Sequence, residues 1–205
     1  MDTEKKSRSQ LKRQAIIDAA KRTFKSIGVA ATSMDKLAEE AQVSKRTVYN
    51  HFATKEALVM HLVSELWLEA MTRNQGQYQA DKDLLQQFTA IILTEIEFIN
   101  SQEHIDMARV AFGHLFYNSE EMNREVEKMK LLETALLRWI KAAVSDNKLA
   151  LTDVNFANEQ LMHLIKGHCF WPQLLAYKPL LTSEERQHLA DETAKMFLSR
   201  YQVTA

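Results

Sequence analysis

Proline and glycine are scarce in this chain of 205 residues, with two and four copies. So few turn formers, beside many Leu, Ala, Glu, Lys and Gln, imply an all-helical chain. Cysteine occurs once, as Cys169, which excludes an intramolecular disulfide and fits a reducing cytoplasm. The first residues are polar and basic, with no apolar stretch for a signal peptide. No apolar run approaches the length needed to cross a bilayer. Also missing are a glycine-rich phosphate loop, a nucleophile elbow and a metal-ligand pattern, which argues against an enzyme. His163 and His168 stand five apart and do not share a helix face well. Cys169 has no visible activating neighbour and reads as a buried thiol. Accordingly no cofactor and no metal are expected.

What is present is the balance of a globular protein, 46% apolar and 26% charged. The net charge of −1 conceals an asymmetry. Residues 1–60 carry twelve Lys and Arg against seven Asp and Glu, whereas 61–205 carry fourteen against twenty. A basic head on an acidic body suits a head that meets phosphate while the body does something else.

The apolar spacing predicts about nine helices. Ile16, Ala20, Phe24 and Ile27 set a first helix from Ser9, with Gly28 as its C′ residue. Two short amphipathic segments follow between Thr32 and Leu58, separated by a tight corner. Leu37, Ala38 and Ala41 line the first; Val48 and Phe52 continue the apolar side of the second. Thr32 and Ser44 both suit N-caps. Thr54 caps a long helix from Lys55 into the low 70s, and residues 74–81 form a break. Further helices are expected over 83–100, from 102 to about 117, and from Asn118 or Ser119 through Ser145. Asp146-Asn147 is a turn, and Thr152 or Asp153 opens the next helix, which Pro172 must kink or end. The last helix starts at a capping box, Thr182 to Glu185.

Two short helices meeting at such a corner make a helix-turn-helix. The outward side of the second mixes Lys, Arg, Thr, Tyr, Asn and His, a poor choice for a core. Lys45, Arg46 and Thr47 open it, nearest the bases of a major groove. Arg46 is the expected reader, through a fork to guanine. Thr32, Ser33, Ser44, Asn50 and Lys55 complete the expected contacts, with Thr32 and Lys55 at helix N-termini that favour phosphate.

These residues also resemble a known family. Ile16, Ala19-Ala20, Phe24 and Gly28 precede Thr32, Leu37-Ala38 and Val43-Ser44, followed by Thr47-Val48-Tyr49, His51-Phe52, Lys55-Glu56 and Leu58. The series resembles the N-terminal DNA-binding domain of the TetR family of bacterial transcriptional regulators. One departure is Gln42, where the family often has Gly; a left-handed backbone there costs about 1 kcal/mol. The resemblance implies that Tyr49 and His51 rest on phosphates. It implies a DNA-binding domain over 1–54 and a ligand-binding and dimerisation domain over 55–205, the helix from about 55 to 74 joining them. The stretch Gly167 to Pro172 resembles the end of the dimer helix in the AefR-like branch.

By the same resemblance the chain is a cytoplasmic homodimer pairing through its last two helices on a palindromic operator. It acts as a repressor released by a small hydrophobic or aromatic ligand. A dimer gated by a protein partner or by abundance, or an activator, is the alternative. The ligand contacts would come from Trp67, Met71, Phe88, Met107, Phe112, Phe116, Trp139, Met162, His163 and Phe170; for each of them an ordinary core position is the competing reading.

Overall fold

Helix α1 (Arg8–Ala31) begins at Ser7, which forms a capping box with Gln10. At Gly28 the backbone leaves the helical region (φ 80°, ψ 159°), which only glycine adopts without steric cost, and one more turn follows. Helices α2 (Met34–Glu40) and α3 (Lys45–His51) come next, then α4 (Lys55–Thr72). The cap of α2 is Ser33 rather than Thr32. Ser33 accepts from the Lys36 amide, while the buried Thr32 hydroxyl donates back to the Gly28 carbonyl at 2.8 Å.

The remaining helices are α5 (Leu84–Ile99), α6 (Gln102–Leu115), α7 (Ala135–Ser145), α8 (Val154–Cys169), the single turn α9 (Trp171–Leu174) and α10 (Ser183–Tyr201). This computed structural model describes residues 7–72, 77–115 and 133–203, apart from the side chains of 66, 67, 69–72, 110 and 113–115. Among the described residues the fold is all-α, with one isolated bridge between Leu149 and Gln202. None of the described helices is long and apolar enough to cross a membrane.

One expected helix is shorter. The apolar spacing runs unbroken from Leu132 through Leu136 to Trp139, yet Thr134 is extended and caps α7 by accepting from the Leu137 amide. A threonine hydroxyl offers the backbone an alternative to the helical ladder, and here it wins. The expected apolar positions from Met122 to Leu132 lie outside the described residues.

Three helices end in the same way, and none uses glycine. Gln42 (φ 54°), Asn147 (φ 56°) and Ala176 (φ 61°) each follow a C-cap in the left-handed region. Each motif carries the paired hydrogen bonds of a Schellman cap. After α2 they are Val43 to Ala38 and Gln42 to Glu39, both at 3.0 Å. These bonds offset the left-handed cost and settle the geometry of the corner between α2 and α3.

The described residues divide into two compact units. The first holds 7–66 with 106–115; the second holds 67–105 with 133–203. In the first, Ile16, Phe24, Leu37, Val48 and Leu58 are buried as predicted, together with Ile17, whereas Ile27, expected on the same face of α1, is half exposed next to the kink at Gly28. In the second, Phe88 stacks on Trp139 with centroids 4.6 Å apart and meets Phe197 at 5.1 Å. The Trp139 indole donates to the Gln87 amide oxygen, so its polar edge is satisfied. Buried Asn100 ties helix ends together: its amide donates to the carbonyl of Cys169, at the end of α8, and its oxygen accepts from the amide of Leu181, just before α10.

Candidate nucleic-acid interface

Helix α3 is only seven residues long, so its position depends on its ends and its one buried face. Ser44 caps it, accepting from the Thr47 amide at 3.1 Å, and the two hydroxyls lie 2.8 Å apart. Val48 is wholly buried, and Phe52 closes the C-terminal end. The Arg13 guanidinium sits 4.9 Å over the Phe52 ring, bringing α1 onto the end of α3.

That packing leaves Lys45, Arg46, Tyr49 and Asn50 exposed, with Thr47 and His51 half-buried. Arg46 has no hydrogen bond or ion pair within the described residues, so its fork is available. Lys45 is paired with Asp35 of α2. Both partners are largely in water, where such a pair is worth little and exchanges easily. Tyr49 is 51% exposed despite its size. Ser33 and Ser44 are exposed but spend their hydroxyls as caps, and Thr32 is turned inward.

Lys55 differs most from its sequence reading. It is half-buried, and its ammonium donates to the carbonyls of Val29 at 3.0 Å, Thr32 at 3.1 Å and Ala30 at 3.5 Å. These acceptors belong to the last turn of α1 and the residue after it. No spacing in the sequence points from residue 55 back to them.

A second polar set joins α1 to α4 in the same unit. Arg13 and the Nε2 of His61 are 3.2 Å apart, and Glu65 reaches both that nitrogen, at 3.2 Å, and Lys21, at 3.1 Å. Burial pushes the His61 imidazole below its ordinary value, and the Arg13 charge adds to the effect.

In the second unit, α5, the start of α6 and α8 carry ionisable groups drawn back from water: His104 is buried, and Glu95 and Lys166 are half-buried. Burial raises the Glu95 carboxyl, partly opposed by Lys166, and lowers the Lys166 ammonium, partly opposed by Glu95. His104, between the rings of Phe98 and Phe170 (4.8 and 5.8 Å), is pushed down to about 4 by burial and then by the Lys166 charge. Burial also carries the Cys169 thiol up to about 12, which makes it inert as a nucleophile.

Of the ligand residues expected from sequence, Phe88 and Trp139 stack together in the core, and Phe170 is buried against His104. Met107 is buried and Phe112 half-buried, both in the first unit. Met162 is half-buried on α8, and His163 is exposed there. The Trp67 and Met71 side chains and all of Phe116 lie outside the described residues.

Two grooves lie in the second unit. One, of about 450 Å³, runs between residues 77–82 and α5, with Lys82, Gln87, Ile91 and Thr94 on its walls. The other, of about 490 Å³, lies between α8 and α10 and is bordered by His163, Leu164, Met196 and Arg200. Phe156, Leu164 and Met196 are 57%, 43% and 50% exposed, an apolar outer face for these two helices.

Comparison with known proteins adds to this geometry. Residues 16–62 match the family model of bacterial regulatory proteins, tetR family, and residues 86–203 match that of the AefR-like transcriptional repressor, C-terminal domain. A TetR family transcriptional regulator from Pseudomonas syringae pv. tomato is similar in structure. Its TM-score is 0.73 at 32% identity, covering 94% of this chain and 97% of that one. The regulator QacR of Staphylococcus aureus is 22% identical over 191 residues, 90% of this chain and 95% of its own. RutR of Escherichia coli is 39% identical over 70 residues, only 32% of this chain and 33% of RutR.

Proposed function

Because the chain belongs to the TetR family of bacterial transcriptional regulators, with an AefR-like C-terminal domain, we propose that it is a cytoplasmic repressor that binds a palindromic operator as a homodimer and leaves it when a small hydrophobic or aromatic ligand binds. The observation that carries the reading is α3 itself. A seven-residue helix, capped and pinned by Val48 and Phe52, presents Arg46, Tyr49 and Asn50 outward with Lys45 beside them. A planar guanidinium near the start of a groove-sized helix can bond guanine O6 and N7 together. Tyr49, Asn50 and His51 lie further along and would meet phosphates or base edges.

The exposed apolar face of α8 and α10 supports dimerisation by these helices. Gly167 lies on it with open space where a Cβ would stand, so another helix could approach closely there. Pairing doubles the contacts of a small reader on a symmetric site. In the body, buried His104 between Phe98 and Phe170, with half-buried Glu95 and Lys166 on the neighbouring helices, supplies polar groups in an apolar setting, the usual character of a ligand site. Release requires that the ligand favour the state with the weaker operator affinity, since equal binding to both states shifts nothing.

The experiment is selection of a duplex from a random library, followed by titration of wild type and Arg46→Ala. Arg46→Ala should lose about tenfold or more of its preference for the selected duplex over random DNA. An unchanged preference would remove Arg46 as the reader. Leu164→Glu and Met196→Glu should each shift the protein to monomer in sedimentation. A dimer that survives both places the interface elsewhere.

A further inference from the structure

We propose that Lys55 is a positioning residue that clasps the two ends of the helix-turn-helix together, and that it makes no contact with DNA. The proposal rests on the reading of α3 as the DNA reader.

An ammonium group has three N–H donors and no acceptor. In Lys55 these donors meet the carbonyls of Val29, Thr32 and Ala30, two at close to 3 Å and the third at 3.5 Å. Two donors are committed and the third, at 3.5 Å, is weakly so, which draws the charge toward these carbonyls and away from a phosphate. Val29 and Thr32 are buried, so their carbonyls have little water to turn to. A helix C-terminus leaves its last carbonyls without helical partners, and here the kink at Gly28 disturbs the turn before it as well. The Thr32 hydroxyl satisfies the Gly28 carbonyl at 2.8 Å, and Lys55 satisfies those that follow.

The place of Lys55 in the chain gives this arrangement its consequence. It is the first residue of α4, where a positive charge works against the helix dipole. The negative end of α1 compensates for that. Residues 33–52, holding α2, the corner and α3, lie between Thr32 and Lys55. One side chain therefore closes the loop that carries the recognition helix, joining where it leaves α1 to where it enters α4. Closing the loop removes freedom that α3 would otherwise have to lose on binding DNA. Otherwise a helix of seven residues is held by buried Val48, its end at Phe52 under Arg13, and the exposed Lys45–Asp35 pair.

The test compares wild type, Lys55→Met and Lys55→Gln on the selected duplex and on random DNA across a range of salt. It is run at a temperature where circular dichroism shows each variant folded; Lys55→Gln keeps two N–H donors and serves if Lys55→Met does not fold. The clasp predicts a loss of preference for the selected duplex of about tenfold, with the slope of log affinity on log salt unchanged. Lys55→Arg keeps the charge but replaces a point donor by a planar fork; it should fail to restore the preference, although arginine serves a phosphate well. A phosphate contact predicts the reverse: a slope reduced by about 0.9, equal weakening on both duplexes, and rescue by arginine. Any fall in slope, or no change in preference, overturns the proposal. Arg46→Ala is the control. If it too leaves the preference intact, the fault lies in reading α3 as the DNA reader and not in Lys55.

Discussion

The two units differ in where some of their ionisable side chains lie. In the first, charged groups lie at or near the surface and join one helix to another: Lys45 to Asp35, Lys21 to Glu65, Arg13 to His61, Lys55 to the end of α1. In the second, buried His104 and half-buried Glu95 and Lys166 are shifted mainly by burial. Its outer face on α8 and α10 instead carries Phe156, Leu164 and Met196. Surface charge is screened by salt, whereas enclosed charge answers to pH. The exposed ion pairs of the head should therefore respond to salt, and His104 and Glu95 of the body to pH.

The largest effect that sharpens this contrast is in the core of the body. Phe88→Ala removes a ring stacked on Trp139 and touching Phe197, and should cost about 4 kcal/mol in urea unfolding. DNA affinity measured well below the transition should change little, since Phe88 lies in the second unit and α3 in the first.

Next is the acid response. The folded-state value of His104, about 4, lies below the ordinary 6.5, so the unfolded chain binds more protons between those limits. Stability is then fully present above pH 6.5 and is lost as pH falls towards 4, by about 3 kcal/mol. Glu95 works in the other direction, because its raised carboxyl holds a proton more readily when folded. His104→Gln should flatten the acid loss in unfolding midpoints, and Glu95→Gln should steepen it. An acid response unaffected by either substitution would break the contrast between the units.

The smallest effect tests a feature the two units share. Gln42→Gly in the head and Ala176→Gly in the body relieve left-handed residues of the same cap type. Each should gain about 1 kcal/mol, less the entropy glycine loses on folding. Asn147→Gly should gain less, since asparagine tolerates that region. Thermal unfolding of the three variants checks the order.

Much of this was legible along the chain because it depends on neighbours in sequence. Ser44, Asp153 and the Thr182–Glu185 box cap their helices as their spacing implies, and Gln42, where the family often has Gly, is left-handed. Thr32 and Ser33 were harder to separate, since two adjacent hydroxyls offer the same cap and burial selects between them. The break before α7 was hidden by apolar spacing that continues across it.

Sequence by itself determined the helical class and most helix starts, the basic head, the outward chemistry of α3 and the family. All of these arise from patterns within a few turns of chain or from their sum. Only the tertiary structure decided which polar groups are available. Lys45, Arg46 and Lys55 look alike as cations near helix starts, yet one pairs with Asp35, one is open, and one is bound to carbonyls at least 23 residues away. A side chain's partners depend on what folding brings within 3 Å of it, and that distance has no counterpart in spacing along the chain.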